Sequence, residues 1–150
     1  MRTIITSIFL LLTLLLKAQE NKNCLENKTL ISKVGSLCEE TNIASSCAGA
    51  EIYLVLMFKK EKVSISEKYI STCDKVTINN FGNYKWMLLN NKEVKINYNP
   101  SVEDIIVRDL GFSIFMKDLK FKLNKCKLIG EENRNNRVTK YTFIDDTEQK

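Results

Sequence analysis

The chain has 150 residues, of which 44% are hydrophobic, and its formal net charge is +5. This length is enough for one domain with a sizeable core. Without residues 1–18, which contain Arg2 and Lys17, 21 basic and 18 acidic residues leave a net charge of about +3. So small a charge indicates neither nucleic acid nor an anionic membrane as a partner. Histidine is absent from the chain. That removes the commonest general base, the commonest metal ligand and the central member of a Ser-His-Asp triad.

The first predicted element is a secretory signal peptide over residues 1–18. Arg2 precedes a 13-residue apolar run, Ile4–Leu16, which is interrupted only by hydroxyl side chains, and the small residue Ala18 follows. This order is typical of export signals, and the run is shorter than the roughly 20 apolar residues of a membrane-spanning helix. We therefore expect cleavage after Ala18 and a secreted or periplasmic protein with no stable membrane span. An uncleaved amino-terminal anchor is the alternative.

Residues 19–27 are polar and are predicted to be loose, and a single β-rich domain is predicted over residues 28–145. This domain should begin with an amphipathic helix over Lys28–Glu40, for which Asn27 is a suitable N-cap. The apolar residues follow the i, i+1, i+4, i+7, i+8 spacing of one helical face. They are Leu30, Ile31, Val34, Leu37 and Cys38.

The central part of the chain predicts short strands. Ala50–Phe58 is the most apolar stretch after the signal, which predicts a strand buried on both faces. Alternating apolar residues predict further strands around Val63 and Val76, followed by a turn at residues 79–83. A hairpin is expected about Asn90-Asn91, because asparagine tolerates positive φ. Its two strands are Tyr84–Leu89 and Lys92–Tyr98.

A short inserted helix is predicted after Pro100. Ser101 and Asp104 have the spacing of a capping box, and an apolar stripe continues to Leu110. Gly111 then occupies the position of a glycine that ends a helix.

Four strands are predicted beyond this helix. In Leu119–Leu123, lysines alternate strictly with apolar residues, which indicates a strand with one buried and one solvated face. A polar loop is expected over Gly130–Arg137, and a frayed tail over residues 146–150. The predicted strands are Phe112–Met116, Leu119–Leu123, Lys127–Ile129 and Val138–Ile144.

Together these elements predict an α+β fold. It consists mainly of an antiparallel sheet of about seven or eight short strands, with an amino-terminal helix and one short inserted helix. The sheet of this α+β fold could curl into a barrel. The alternative fold class is an all-β barrel.

The chain has five cysteines and no CxxC pair. In an exported protein this pattern predicts disulfides rather than a metal site, and the odd number leaves at least one thiol free or joined to another chain. We favour Cys38–Cys47 as a local bridge and Cys73–Cys126 as a bridge within the sheet. Cys24 then remains unpaired, and a Cys24–Cys38 bridge is the main rival.

Lysines cluster in the last third of the chain and predict a basic surface. Lysine along an exposed strand commonly protects a sheet edge from aggregation. A docking surface for an acidic partner is the alternative interpretation. The residues are Lys117, Lys120, Lys122, Lys125 and Lys127.

No motif indicates catalytic, cofactor-binding or metal-binding residues, and no cofactor is expected. Small size, predicted disulfides and the lack of histidine favour a non-enzymatic, exported binding or interaction protein. Inhibitors and immunity-type proteins are examples of that class, and the partner would be an exported or envelope protein. The alternatives are a structural component of the cell envelope and an enzyme that uses carboxylates or a thiol.

Overall fold

A closed antiparallel β-barrel of eight strands forms the body of the molecule. The computed structural model describes residues 24–38, 49–90, 92–100 and 110–148. Each strand pairs with the next along the chain, and β1 pairs with β8 to close the barrel. The strands are β1 (Thr29–Leu37), β2 (Ala50–Phe58), β3 (Lys62–Ser71), β4 (Val76–Leu89), β5 (Glu93–Ile96), β6 (Leu119–Asn124), β7 (Lys127–Arg134) and β8 (Arg137–Asp145).

Among the described residues, one α-helix, α1 (Leu110–Asp118), lies between β5 and β6 in the chain, and a 3-10 turn over Asp146–Glu148 follows β8. The prediction of a β-rich fold with a largely antiparallel sheet curled into a barrel is confirmed. The predicted signal peptide and the helix predicted over residues 101–109 lie outside the described residues.

The predicted amino-terminal helix is wrong, because residues 29–37 form strand β1. Leu30 is buried in the hydrophobic cluster inside the barrel. Its neighbour Ile31 is fully buried as well, but it lies outside that cluster. Both faces of the strand are therefore apolar at this point. A bulge between Lys33 and Gly35 then shifts the alternation by one residue. Together these two departures from strict alternation imitate the spacing of a helical stripe.

The predicted strand Phe112–Met116 is also wrong, because these residues lie in α1. Apolar residues occupy nearly every position, so their spacing does not distinguish the 3.6-residue period of a helix from the two-residue period of a strand. Phe112 and Met116, four residues apart, are both buried on one helical face. Gly111 lies inside this helix rather than after its end.

Two predicted polar turns are likewise paired strand. Residues 79–83 continue β4, with a bulge opposite Ile65 and Ser66, and residues 130–134 belong to β7. The turn between β7 and β8 is only two residues long, Asn135-Asn136, both at positive φ. Polar residues dominate these strands because the outer face of the barrel is exposed to water.

Strand β2 has the predicted bounds, and the hairpin between β4 and β5 is at the predicted position. Burial on both faces of β2 is limited to its middle, at Tyr53 and Leu54, since Glu51 is exposed and Met57 is 43% exposed. Glycine at position 130 lets Leu119 and Phe143 close over β7, because a Cβ there would lie 3.1 Å from Leu119 Cδ1.

Candidate ligand-binding cleft

The two ends of the barrel differ in what fills them. Odd-numbered strands begin at one end, which we call the packed end, and run to the other, which we call the helix end because α1 lies there. The packed end is filled by large apolar side chains. The indole of Trp86 packs edge-on against Phe58 at 5.0 Å, and its Nε1 donates a hydrogen bond to the carbonyl of Lys59.

The barrel wall is incomplete towards the helix end. Strand β1 pairs with β8 only through Leu30 and Ile31, although both strands continue for several residues beyond that point. A cleft of about 370 Å³ lies in this region, between α1 and strands β1, β2, β3, β7 and β8. The short pairing of β1 with β8 therefore coincides with a cleft that reaches the buried residues Glu67 and Glu132.

One wall of the cleft is apolar and aromatic. Val34 and Ile52 come from β1 and β2, and Phe112 and Phe115 come from α1. The ring of Phe112 stacks on Phe81 of β4 at 3.7 Å, which holds the helix against the barrel. Phe115 packs edge-on against Tyr141 of β8, with ring centroids 5.6 Å apart.

The opposite wall carries a polar cluster centred on Glu132 of β7. This side chain is only 8% exposed, and its Oε2 accepts a hydrogen bond of 2.8 Å from the Tyr141 hydroxyl. Arg134 Nε lies 3.5 Å from Oε1 of the same carboxylate. Residues 132 and 134 share the inward face of β7 because successive side chains of a strand alternate.

The environment changes the acidity of Tyr141. Burial, followed by the hydrogen bond to Glu132, raises the pKa of its hydroxyl to about 12. The neutral hydroxyl is therefore retained as a donor to the carboxylate over the physiological pH range.

A second carboxylate, Glu67 of β3, also lines the cleft and is 7% exposed. Its Oε2 accepts a hydrogen bond of 2.9 Å from the hydroxyl of Tyr69. The buried polar atoms facing the cleft are thus dominated by carboxylate oxygens, whereas the Arg134 side chain is 57% exposed, nearer to solvent.

The sequence did not identify this site. Glu132 fell within the predicted polar loop, and only the strand register places it inward while its neighbour Glu131 points outward. The alternation of Leu128, Gly130 and Glu132 on one face of β7 was the available signal. Recognising it required knowing that the strand extends to Arg134.

The five predicted surface lysines are all exposed. Strand β6 pairs along its length with β7 but with β5 only at Phe121 and Lys122. Its alternating burial places Lys120 and Lys122 on the outer face of the barrel. Glu131 forms ion pairs with Lys122 and with Lys140, the latter at 3.6 Å. The hydrogen bond from Lys122 holds the pKa of Glu131 below its usual value.

The disulfide predictions are wrong in their pairing. Cys24 is bonded to Cys126, with Cα atoms 5.3 Å apart. Cys73 is also disulfide-bonded, and Cys38 is free and exposed. The bridge joins the turn before β1 to the turn before β7, which meet at the packed end. Sequence spacing gave no sign of this, since 102 residues separate the two cysteines.

No match to the chain was found among protein-family models, curated proteins or solved structures. Within the described ranges, no helix has the length and apolar character to cross a membrane. Among these same residues, no three metal-ligating side chains come together. The geometry of the cleft is therefore the basis for a functional proposal.

Proposed function

We propose that the protein is a non-enzymatic, exported binding protein that holds a small ligand in the cleft at the helix end. The observation that supports this most directly is the composition of the cleft. An apolar, aromatic wall faces a buried polar cluster, and ligand sites commonly combine such a wall with a few placed polar groups. An eight-stranded barrel has room for interior side chains and one small ligand.

The chemistry of the polar wall indicates the ligand class. Ionised carboxylates only accept hydrogen bonds, so a ligand group that reaches Glu132 must donate. The rings of Phe112, Phe115 and Tyr141 would favour a cation over an anion, because aromatic faces attract positive charge. The proposed ligand is therefore a small amine with an apolar body, whose ammonium group joins the hydrogen bonds around Glu132.

Two probes of matching shape and opposite charge test this proposal. Phenethylamine carries an ammonium group on an aromatic body, and hydrocinnamate carries a carboxylate on a similar one. Isothermal titration calorimetry should detect the amine and not the acid. Chemical-shift changes from the amine should map to the cleft, including the amides of Val34 and Phe115.

Adjacent glutamates on β7 provide a matched pair of variants. Glu132→Gln should weaken amine binding by about tenfold or more, since a hydrogen bond to a charged group contributes about 1.5–3 kcal/mol. Glu131→Gln, which changes a carboxylate on the outer face, should leave binding unchanged. Equal binding of both probes, or equal effects of both variants, would contradict the proposal.

Export is supported by the order of residues in the predicted signal and by the disulfides, which form in oxidising compartments. Expression of the full-length chain with its own signal, followed by intact-mass measurement, provides the test. We expect the protein in the extracellular or periplasmic fraction with a new amino terminus at Gln19. Full-length protein confined to the cytoplasm would contradict export.

A further inference from the structure

Strand β4 is much longer than the strand beside it. It has 14 residues, whereas β5 has four and pairs only with Trp86–Leu89. One further backbone hydrogen bond, from Asn97 N to the carbonyl of Lys85, extends this contact. On that side of Val76–Asn80, no strand in the described part of the chain forms a ladder. We call these five residues the β4 edge.

The β4 edge is exposed and uncharged. All five side chains are exposed, with Val76 at 50% and Ile78 at 57%. No charged residue and no proline occurs from position 76 to position 84. Exposed edges in natural sheets are commonly protected by lysine, proline or a bulge, because an open edge invites another strand.

Another incompletely paired strand of the barrel, β8, shows the usual protection. Strand β8 extends beyond its short contact with β1, and there it carries Arg137 and Lys140, both exposed. The chain has 23 lysines and arginines, so a nine-residue strand segment without any charge stands apart from the rest.

We propose that a second copy of this chain pairs with the β4 edge, antiparallel and about a two-fold axis through Ile78. In this register Ile78 lies opposite its own equivalent, Val76 lies opposite Asn80, and Thr77 lies opposite Asn79. Lys75 lies opposite Phe81, so no like charges face each other across the axis. A two-fold interface of this kind uses the same segment from both copies and closes on itself.

A second copy fits the edge better than an extended peptide of another protein. Peptides that add a strand to a sheet gain specificity from pockets that receive alternate side chains. The cleft at the helix end, the cleft between β5, β6 and α1, and the cleft beside the contact of β1 with β8 include no residue of the β4 edge. Self-pairing needs no such pocket, because the register is set by the symmetry of the edge itself.

Sedimentation velocity over a wide concentration range tests the pairing. The wild type should change from monomer to dimer as concentration rises. Ile78→Lys places two like charges at the axis and should leave a monomer. Met57→Lys is the matched control, because Met57 is an exposed apolar residue on β2, which pairs on both sides. This control should dimerise as the wild type does.

A cross-link provides a second, positive measurement. In a Cys38→Ser background, Ile78→Cys should give a disulfide-linked dimer that reductant separates, because residues opposite each other in an antiparallel pair have neighbouring Cβ atoms. Met57→Cys in the same background should stay monomeric. A wild type that is monomeric at every concentration overturns the proposal, and so does loss of dimer in both lysine variants.

Discussion

The packed end and the helix end of the barrel are made by the same eight strands but have opposite characters. At the packed end, Phe58 and Leu128 are fully buried and the Cys24–Cys126 disulfide ties two turns together. At the helix end the barrel wall separates between β1 and β8, and Glu67 and Glu132 face a cleft.

This difference separates the parts of the molecule that stabilise it from the parts available for binding. Burying a charged group costs free energy unless hydrogen bonds compensate, so a carboxylate in the interior makes a poor contribution to a core. The apolar cluster at the packed end can stabilise a fold that tolerates such groups at the other end. Mutations at the two ends should therefore have different consequences.

The largest expected effect is on stability at the packed end. Phe58→Ala removes a fully buried ring that contacts Trp86 and should lower the free energy of unfolding by about 3–5 kcal/mol. Phe115→Ala, at the half-buried helix end, should cost clearly less. Urea denaturation followed by tryptophan fluorescence measures both. Equal losses would show that the two ends contribute alike.

The disulfide should have the next largest effect. Replacing Cys24 and Cys126 together by alanine should cost about 2–5 kcal/mol, because the bridge closes a long loop. Cys38→Ser, which alters an exposed free thiol, is the control and should leave stability within about 0.5 kcal/mol of the wild type. Thermal unfolding measures the losses. Peptide mapping after alkylation should find label on Cys38 and a Cys24–Cys126 link, and a different link would contradict the assignment.

The smallest expected effect is the pH response of the helix end. The pKa of Tyr141 is raised from 10.0 to about 12, so its contribution is complete below pH 10 and is lost as pH rises through 12. Wild type should therefore lose more stability than Tyr141→Phe between pH 10 and pH 12. Denaturant midpoints at a series of pH values measure this.

Tyrosinate absorbance offers a direct check of the same group. A tyrosine that ionises near pH 12 should be missing from the titration of Tyr141→Phe. It should move to lower pH in Glu132→Gln, because the negative acceptor is removed. Glu131→Gln should leave it in place. A wild-type titration without a tyrosine that ionises near pH 12 would contradict the assignment.

Local patterns predicted the strands with regular alternation. The bounds of β2, the hairpin at Asn90 and the core of β6 follow from apolar spacing and turn chemistry that a few neighbouring residues determine. The prediction failed where neighbours in space override the local pattern. Ile31 is buried on the strand face opposite the core cluster, and Phe112 of α1 stacks on Phe81 of β4, which is distant in sequence.

The candidate site was less predictable than the fold. Glu67, Glu132 and Tyr141 come from three strands, and only barrel closure brings them to one cleft. The Cys24–Cys126 pair depends on the same closure, since it joins the beginning of the barrel to the seventh strand. No short stretch of sequence indicates that the cleft residues lie together or that the two cysteines meet.

The Asn135-Asn136 turn has a consequence for how the cleft could change during evolution. A two-residue turn fixes the register of β7 against β8, and a slip of one residue exchanges the two faces of a strand. Because Glu131 and Glu132 are adjacent, such a slip would replace one carboxylate inside the barrel by the other. It would also move Gly130 to the outer face and Ile129 to the inner face. The acidic character of the cleft is thus tolerant of a one-residue insertion, whereas the close packing of Leu119 and Phe143 over Gly130 is not.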